Sequence, residues 1–486
     1  MEDLKIVLPL GAERILEKLG ENDFEAFVVG GCVRDCLLGR TPKDWDVCTA
    51  AKPEEVEAVF ARCRIIETGL RHGTVTVVLD DGQYEVTTFR TDGAYLDNRR
   101  PESVSFVNDV REDLARRDFT INAMAYRPGM GIVDPFGGQA DLAAKRISCV
   151  GCADDRFQED ALRIMRALRF ASVYGFTIAP ETAEAIHRNR ELLRNIAVER
   201  IQLELCKLLC GQGATDILLQ YSDVISTILP KMAPCVGFEQ NNRWHKYNVY
   251  DHIAYAVGNY KGDDVVTKVA LLLHDIGKPH CYTVDEDGFG HFYGHGAVSR
   301  DIAGEIVGCL RFDSATQKNV VELVEYHDAT IEPTVKAVRR WLNKIGAEQL
   351  MRLMDVQQAD ALAHVEGSLD DKIEKCKMVK DMVREVLSQE QCFSLKQLKI
   401  NGRDLLALGV PEGKAVGNIL NRLLQEVIDG ELENVHASLC DRARLLLLEG
   451  ASLEARLSNA VERSKHSEAG YLDGFPSMEL GGSMIV

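Results

Sequence analysis

The stretch Phe24-Glu-Ala-Phe-Val-Val-Gly-Gly-Cys-Val-Arg-Asp-Cys-Leu-Leu-Gly-Arg-Thr-Pro-Lys-Asp-Trp-Asp-Val-Cys48 decides how the rest of the chain is organised. Its short apolar run predicts a buried strand, Gly30-Gly31 break it, and Val33 to Leu38 read as a helix. Gly39 and Pro42 then turn the chain into a second strand that carries Asp44 and Asp46. Adjacent glycines let the backbone approach a polyphosphate with its N–H groups outward, and a helix just after them adds the positive end of its dipole. Side chains two apart on a strand share a face, so Asp44 and Asp46 would stand together where two hard cations can be held. That layout is the layout of a two-metal nucleotidyl-transfer site. Two solvated loop carboxylates are the plainer alternative.

With 486 residues the chain exceeds one ordinary core and predicts several modules. No apolar run approaches a bilayer span, and the first residues do not pair a charged stretch with a signal-like apolar segment. A cytoplasmic address and no membrane partner are expected. The fourteen cysteines are scattered through apolar runs and loops, as reduced thiols would be. Cys149-Val-Gly-Cys152 is the one pair with ligand spacing, and no second pair lies near it. A net charge of −18 argues against a protein that coats nucleic acid nonspecifically, and DNA is not expected as a partner. A locally basic groove remains compatible with it, since Arg99-Arg100, Arg116-Arg117 and the series Arg163, Arg166, Arg169 fall in the first third or so, a solvated face being the plainer reading of such runs.

Residues from about 24 to 145 alternate β-rich runs with turns: Phe27 to Gly30, Trp45 to Cys48, Thr74 to Leu79 and Tyr84 to Phe89. Asp80-Asp81-Gly82 signals a hairpin, and a small mixed or antiparallel sheet follows. Glu85, on a strand beside the one with Asp44 and Asp46, is the natural third carboxylate; cross-strand pairing with an arginine competes with that role. Thr91 to Glu102 is polar and turn-rich and reads as a mobile loop beside the site. Arg116-Arg117-Asp118-Phe119-Thr120-Ile121-Asn122-Ala123-Met124 predicts a helix start. Its arginines suit phosphate oxygens and Asp118 or Asn122 suits the sugar hydroxyls, with capping and surface ion pairs as the alternative. Asp134-Pro-Phe-Gly-Gly138 reads as a rigid turn.

From about Glu159 to residue 450 the spacing is helical. Glu159-Asp160-Ala-Leu-Arg163-Ile-Met-Arg166-Ala-Leu-Arg169 predicts Asp160, Arg163 and Arg166 along one stripe, either an ion-pair ladder or a base reader. As a reader, Arg163 would donate to the ring nitrogen acceptor shared by cytosine and adenine while Asp160 accepts from the exocyclic amine of both. A second cluster comprises His252, His274-Asp275 at the end of the apolar run Val269 to Leu273, His295, and His327-Asp328, with Asp355 and Asp360 as further candidates. Such a set binds a divalent metal for phosphoester hydrolysis. Ile400-Asn-Gly-Arg and Gly409-Val-Pro-Glu-Gly are helix starts that suit RNA phosphates or plain interhelical turns alike. Beyond about Lys465 there is no periodicity, and no internal repeat occurs.

Taken in order, Gly30-Gly31-Cys-Val-Arg34-Asp35 with Asp44-x-Asp46, Arg116-Arg117-Asp118-Phe119-Thr120-x-Asn122-Ala123, Asp134-Pro-Phe-Gly-Gly138, Glu159-Asp160-x-x-Arg163 and Val198-Glu199-Arg200 resemble the class II tRNA nucleotidyltransferase and bacterial poly(A) polymerase family, within the polymerase β nucleotidyltransferase superfamily. The likeness covers roughly residues 20–210 in ordered motifs and continues more weakly beyond them. The His-Asp cluster separately resembles the HD phosphohydrolase domain found in some members.

The resemblance implies an α+β chain with a small mixed or antiparallel-sheet polymerase β-like nucleotidyltransferase head over 1–145 and a helical neck with the base-reading motif over 146–212. A helical HD-type body over 213–365, a helical tRNA-binding tail over 366–455 and a disordered end over 456–486 would follow. It implies template-independent building or repair of the 3′ CCA of tRNA from CTP and ATP, with release of pyrophosphate. A poly(A) polymerase and a CC-only or A-only enzyme are the near alternatives; Ala94-Tyr-Leu-Asp-Asn-Arg-Arg-Pro101 resembles the loop of the CCA type. Asp44 and Asp46, with Glu85, would be catalytic and hold two magnesium ions. Gly30, Gly31, Arg34 and Arg117 would hold the nucleotide, Asp118 and Asn122 its sugar side, and Asp160 and Arg163 the base edge, supported by Arg166 and Arg169. His252, His274, Asp275, His295 and His327 would hold a transition-metal ion, and an HD-type phosphohydrolase acting on cyclic or terminal phosphates is the alternative or second activity. The partners implied are the acceptor arm and 3′ end of tRNA.

Overall fold

Residues 6–70, 73–93 and 103–449 are described by the computed structural model of the chain. The loop expected to resemble the CCA type and the end expected to be disordered lie outside the described residues. Among the described residues the first part of the chain supplies nine strands: β1 (Ala26–Val29), β2 (Asp46–Thr49), β3 (Arg64–Gly69), β4 (Thr74–Leu79), β5 (Gly82–Thr88), β6 (Arg90–Asp92), β7 (Val104–Phe106), β8 (Ala125–Arg127) and β9 (Gly131–Val133). Seven of them form one sheet in the order β3-β4-β5-β2-β1-β8-β9, while β6 and β7 pair separately. The β2–β5 pairing is parallel and the other pairings in that sheet are antiparallel, so the sheet is mixed. β1 is buried along its whole length, as a continuous apolar run in a central strand should be. Phe27, Val29, Cys48, Phe89, Leu114 and Ala125 form a core cluster against this sheet.

Several elements differ from the expectation. The helix after the glycines begins at Gly31 and ends at Leu37, earlier than Val33 to Leu38. β2 starts at Asp46, so Asp44 lies in the segment that leads into the strand. Arg116 does not begin a helix: it caps the end of the helix Val110–Ala115. Phe119 is extended and forms a bridge to Cys149, and Thr120–Asn122 is a single tight turn. Burying the Phe119 ring outweighs local helix preference there. Asp160 stands in the break between the helices Ala153–Glu159 and Leu162–Tyr174, with extended backbone, and so leaves the stripe of Arg163 and Arg166. Its side chain accepts the Leu162 N–H at 3.1 Å, the use an aspartate finds at a helix start.

Beyond this break the described residues of the chain are helical, apart from Thr177–Ile178, which pairs in parallel with Arg146–Ile147 from before the break, and a hairpin at Thr283–Val284 and Gly290–His291. Contacts divide it into two compact units, residues 1–329 with 352–374, and residues 330–351 with 375–486. In the second unit Ile400, Leu405, Leu423, Ile428 and Leu439 form the core, and the Asn401 side chain caps the helix Gly402–Ala407. All fourteen cysteines are free thiols. Among the described residues no helix is long and apolar enough to cross a membrane.

Candidate functional site

The glycine turn fixes one wall of the site in the head. Gly30 sits at φ +81°, and a Cβ there would come within 2.8 Å of the Arg117 guanidinium, so both conformation and close approach call for glycine. Its N–H donates to the Met124 carbonyl at 3.0 Å, and the helix that starts at Gly31 has no side-chain cap. Arg34, on that helix, donates to Asp35 at 2.9 Å and to the Asn122 side-chain oxygen at 2.5 Å. The opposite wall is the sheet. Asp46 on β2 lies directly opposite Glu85 on β5, and both are exposed. The Asp46 carboxyl is raised above its ordinary value by partial desolvation of the carboxyl, then by Glu85 and Asp44, against the pull of Arg117. A group of carboxylates that disfavour one another's charge is a donor set for divalent cations.

The two arginines at the start of the next motif are held from below by a residue that the motifs did not single out. Asp113, fully enclosed, takes Arg116 at 2.7 Å and Arg117 at 3.2 Å. Burial pushes the Asp113 carboxyl up, and Arg117 and Arg116 more than offset it, so it lies below the ordinary range. The spacing of three and four residues to the arginines was the signal for this pairing. Asp118 accepts from its neighbour's backbone at Phe119 (2.8 Å) and from the Asn122 amide (3.0 Å), and its other oxygen takes the Arg166 fork. Burial alone would raise the Asp118 carboxyl; Arg166 and the Asn122 amide hold it instead at about 2. Arg169 pairs with Glu204 at 2.7 Å.

Asp160 and Arg163 are near in sequence but spend their polar atoms apart. Arg163 donates to Glu159 at 2.6 Å and to the Arg116 carbonyl at 3.0 Å, while Asp160 takes Arg200 at 3.1 Å. Glu159 and Arg200 are thus the protein's own partners for the groups expected at the base edge.

The histidines form a second constellation. His252, His274, Asp275 and Asp360 make one group of metal-donor atoms within 4.8 Å of one another, and Asp275, His295 and His327 make another that shares Asp275. His252 approaches Asp360 at 2.9 Å, and His295 approaches His327 at 3.0 Å. The Nδ1 atoms of His274, His295 and His327 each donate to the carbonyl three residues earlier, at Leu271, Phe292 and Val324, which leaves Nε2 for the centre. Burial would raise the Asp275 carboxyl, but His274 and Lys278 hold it well below its usual range. All five expected residues meet here, Asp360 joins them, and Asp355 stands outside both groups. A cavity of about 340 Å³ opens over the cluster, with Lys278, Tyr293 and His364 in its wall. Cys149 is buried with its thiol pushed up to about 12, first by burial, and among the described residues neither it nor Cys152 joins a group of metal donors.

Three family models match the chain: the Poly A polymerase head domain over residues 26–148, an RNA- and SrmB-binding site of polymerase A over 175–235, and tRNA nucleotidyltransferase domain 2 over 298–443. The chain is 36% identical over 436 residues to the CCA-adding enzyme of Geobacillus thermodenitrificans, covering 88% of this chain and 96% of that protein. It is 35% identical over 427 residues to the CCA-adding enzyme of Levilactobacillus brevis, covering 87% and 94%. The crystal structure of the Bacillus stearothermophilus CCA-adding enzyme in complex with CTP superposes with a TM-score of 0.70 at 29% identity, over 93% of this chain and 100% of that one.

The depressed Asp118 carboxyl has a measurable consequence. A group that ionises more readily folded than unfolded stabilises the chain above its unfolded pKa, near ~3.9, and loses that contribution as pH falls towards its folded value. Asp118→Asn should cost about 2 kcal/mol at neutral pH and flatten the fall in stability between about pH 4 and pH 2. Urea unfolding across that range reads both; an unaltered acid limb in the variant would contradict the pairing.

Proposed function

The chain belongs to the family of the CCA-adding enzymes, class II tRNA nucleotidyltransferases, and from that premise we propose how its own residues carry the reaction. It adds or repairs the 3′-terminal CCA of tRNA without a template, drawing on CTP and ATP and releasing pyrophosphate. The in-register pair of Asp46 and Glu85 beside the Gly30 turn is the observation that carries this reading. Asp44 and Asp46, with Glu85 beside them, would hold two magnesium ions, whose chemistry when bound would be Lewis-acid stabilisation of the attack of the tRNA 3′ hydroxyl on the α-phosphate and of the departing pyrophosphate.

The remaining roles belong to the chain's own groups. The uncapped helix start at Gly31 offers backbone N–H groups to the triphosphate, and Arg34 and Arg117 offer charge-assisted donors. Asp118 and Asn122 face the sugar. Asp160 and Arg163 read the amine and ring nitrogen common to cytosine and adenine, with the base taking the places that Arg200 and Glu159 fill in this structure. Arg166 and Arg169 support them through Asp118 and Glu204.

Incubating the chain with tRNA that lacks its last three nucleotides and with labelled CTP and ATP tests the assignment. Two cytidines and one adenosine should be added, followed by arrest. Long adenosine tails independent of CTP would identify a poly(A) polymerase, and arrest after two cytidines, or adenosine only after a preformed CC end, would identify a partial enzyme.

A second activity is favoured by the two donor groups that share Asp275. The set of imidazoles and carboxylates fits transition-metal ions, and the cavity above it opens to solvent beside Lys278. The activity is that of a metal-dependent phosphohydrolase on cyclic or terminal phosphates of RNA. Metal analysis of the purified chain should find nickel, manganese or cobalt retained, and hydrolysis of a 2′,3′-cyclic nucleotide should vanish with the bound metal in His274→Ala while CCA addition persists. Hydrolysis that survives this substitution would remove the second activity.

A further inference from the structure

Two aromatic rings on the helix Leu162–Tyr174 gather the arginines of the nucleotide site. Around the Phe170 ring, the guanidinium carbon of Arg169 lies 4.0 Å from the centroid, that of Arg34 5.2 Å and that of Arg166 5.4 Å. Tyr174 is stacked on Phe170, with centroids 6.0 Å apart and planes 10° from parallel. It takes Arg34 at 5.1 Å and Arg40 at 4.7 Å. Phe119 braces Phe170 edge-on at 5.8 Å, and the Tyr174 hydroxyl donates to the Asp35 oxygen that also holds Arg34.

Four guanidiniums within reach of two rings repel one another. Asp35, Asp118 and Glu204 neutralise three of them, at Arg34, Arg166 and Arg169. The carboxylates meet these guanidiniums at their N–H edges, and the negative face of a ring attracts the cation from a second direction that the carboxylates leave open. The Phe170 ring is 6% exposed, so this attraction acts where water screens it little. Arg34 belongs to the helix after the glycine turn and Arg166 and Arg169 to the helix that carries the rings, so the rings join two separate elements of the site.

We propose that Phe170, supported by Tyr174, is a positioning residue of nucleotidyl transfer: its ring faces hold Arg34, Arg166 and Arg169 in one layer, already aligned when the nucleotide arrives. This rests on the assignment of those arginines to the nucleotide. Phe170 touches the cations and no reacting atom, and the layer serves the triphosphate and sugar that CTP and ATP share. Both nucleotides should therefore feel its loss alike, without a change in the choice between them.

The full chain carries the test, with Kd for CTP and ATP from calorimetry, and KM and kcat from addition to tRNA lacking its CCA end. Phe170→Leu, which keeps an apolar side chain without the π face, should raise Kd and KM for both nucleotides by about tenfold. Its kcat should stay near the parent's while its thermal midpoint falls by a few degrees, as the loss of a buried ring requires, and Phe170→Tyr should keep both constants at the parent's values. Unchanged constants in Phe170→Leu, equal losses in the Leu and Tyr variants, or loss for one nucleotide alone would overturn the proposal. If Phe170→Leu does not fold, Tyr174→Leu against Tyr174→Phe puts the same question to Arg34: a rise in Kd confined to the leucine supports the layer, and no rise or an equal rise overturns it. Arg34→Ala with unaltered nucleotide Kd would instead remove the underlying assignment, a separate result.

Discussion

Asp46 and Glu85 face each other on adjacent parallel strands, a relation between two carboxylates that costs stability unless a cation shares it. The head fixes them there. Val47 and Cys48, directly after Asp46, are fully buried, and Val86 after Glu85 is fully buried as well. β2 is buried on both faces after Asp46, so a slip that moved this acid one place inward would bury its charge, and burial rather than the acids themselves sets the register. Gly30 and Arg117 follow from the same constraint, since the turn must let a guanidinium pass within contact distance of its backbone to stand near Asp46.

Charge balance around that centre is organised in pairs. Asp113 supports Arg116 and Arg117, Asp118 supports Arg166, Glu204 supports Arg169, and Glu159 supports Arg163. Each arginine expected near the nucleotide, apart from Arg34 with its neighbour Asp35, leans on a carboxylate from a different turn or element. A chain of net charge −18 can in this way present local cations to a polyphosphate without a broadly basic surface.

The central strands and the place of Glu85 on a strand beside that of Asp46 were legible because apolar runs of strand length and a two-residue hairpin loop mark them, while the register that sets Asp46 opposite Glu85 belongs to a parallel pairing that no local turn fixes. Phe119 and Asp160 were not legible, for one shared reason. Each is placed by a partner far away in sequence or by a cap: Phe119 bridges Cys149, and Asp160 holds Leu162 and Arg200. Local periodicity is blind to such partners. The histidine cluster was legible in its members but not in its division into two groups, which depends on how Asp275 presents one oxygen to each side. The repeated bond from Nδ1 to the carbonyl three residues earlier is visible only once the turns exist.

The most direct measurement concerns Asp46. In Asp46→Ala, CTP binding followed by calorimetry should remain measurable, because the arginines and the glycine turn persist. Single-turnover addition of cytidine to tRNA lacking its CCA end should fall by about a thousandfold or more, the scale lost when electrostatic stabilisation of the transferring phosphoryl group is removed. Addition at the parent rate by the folded variant would contradict the account.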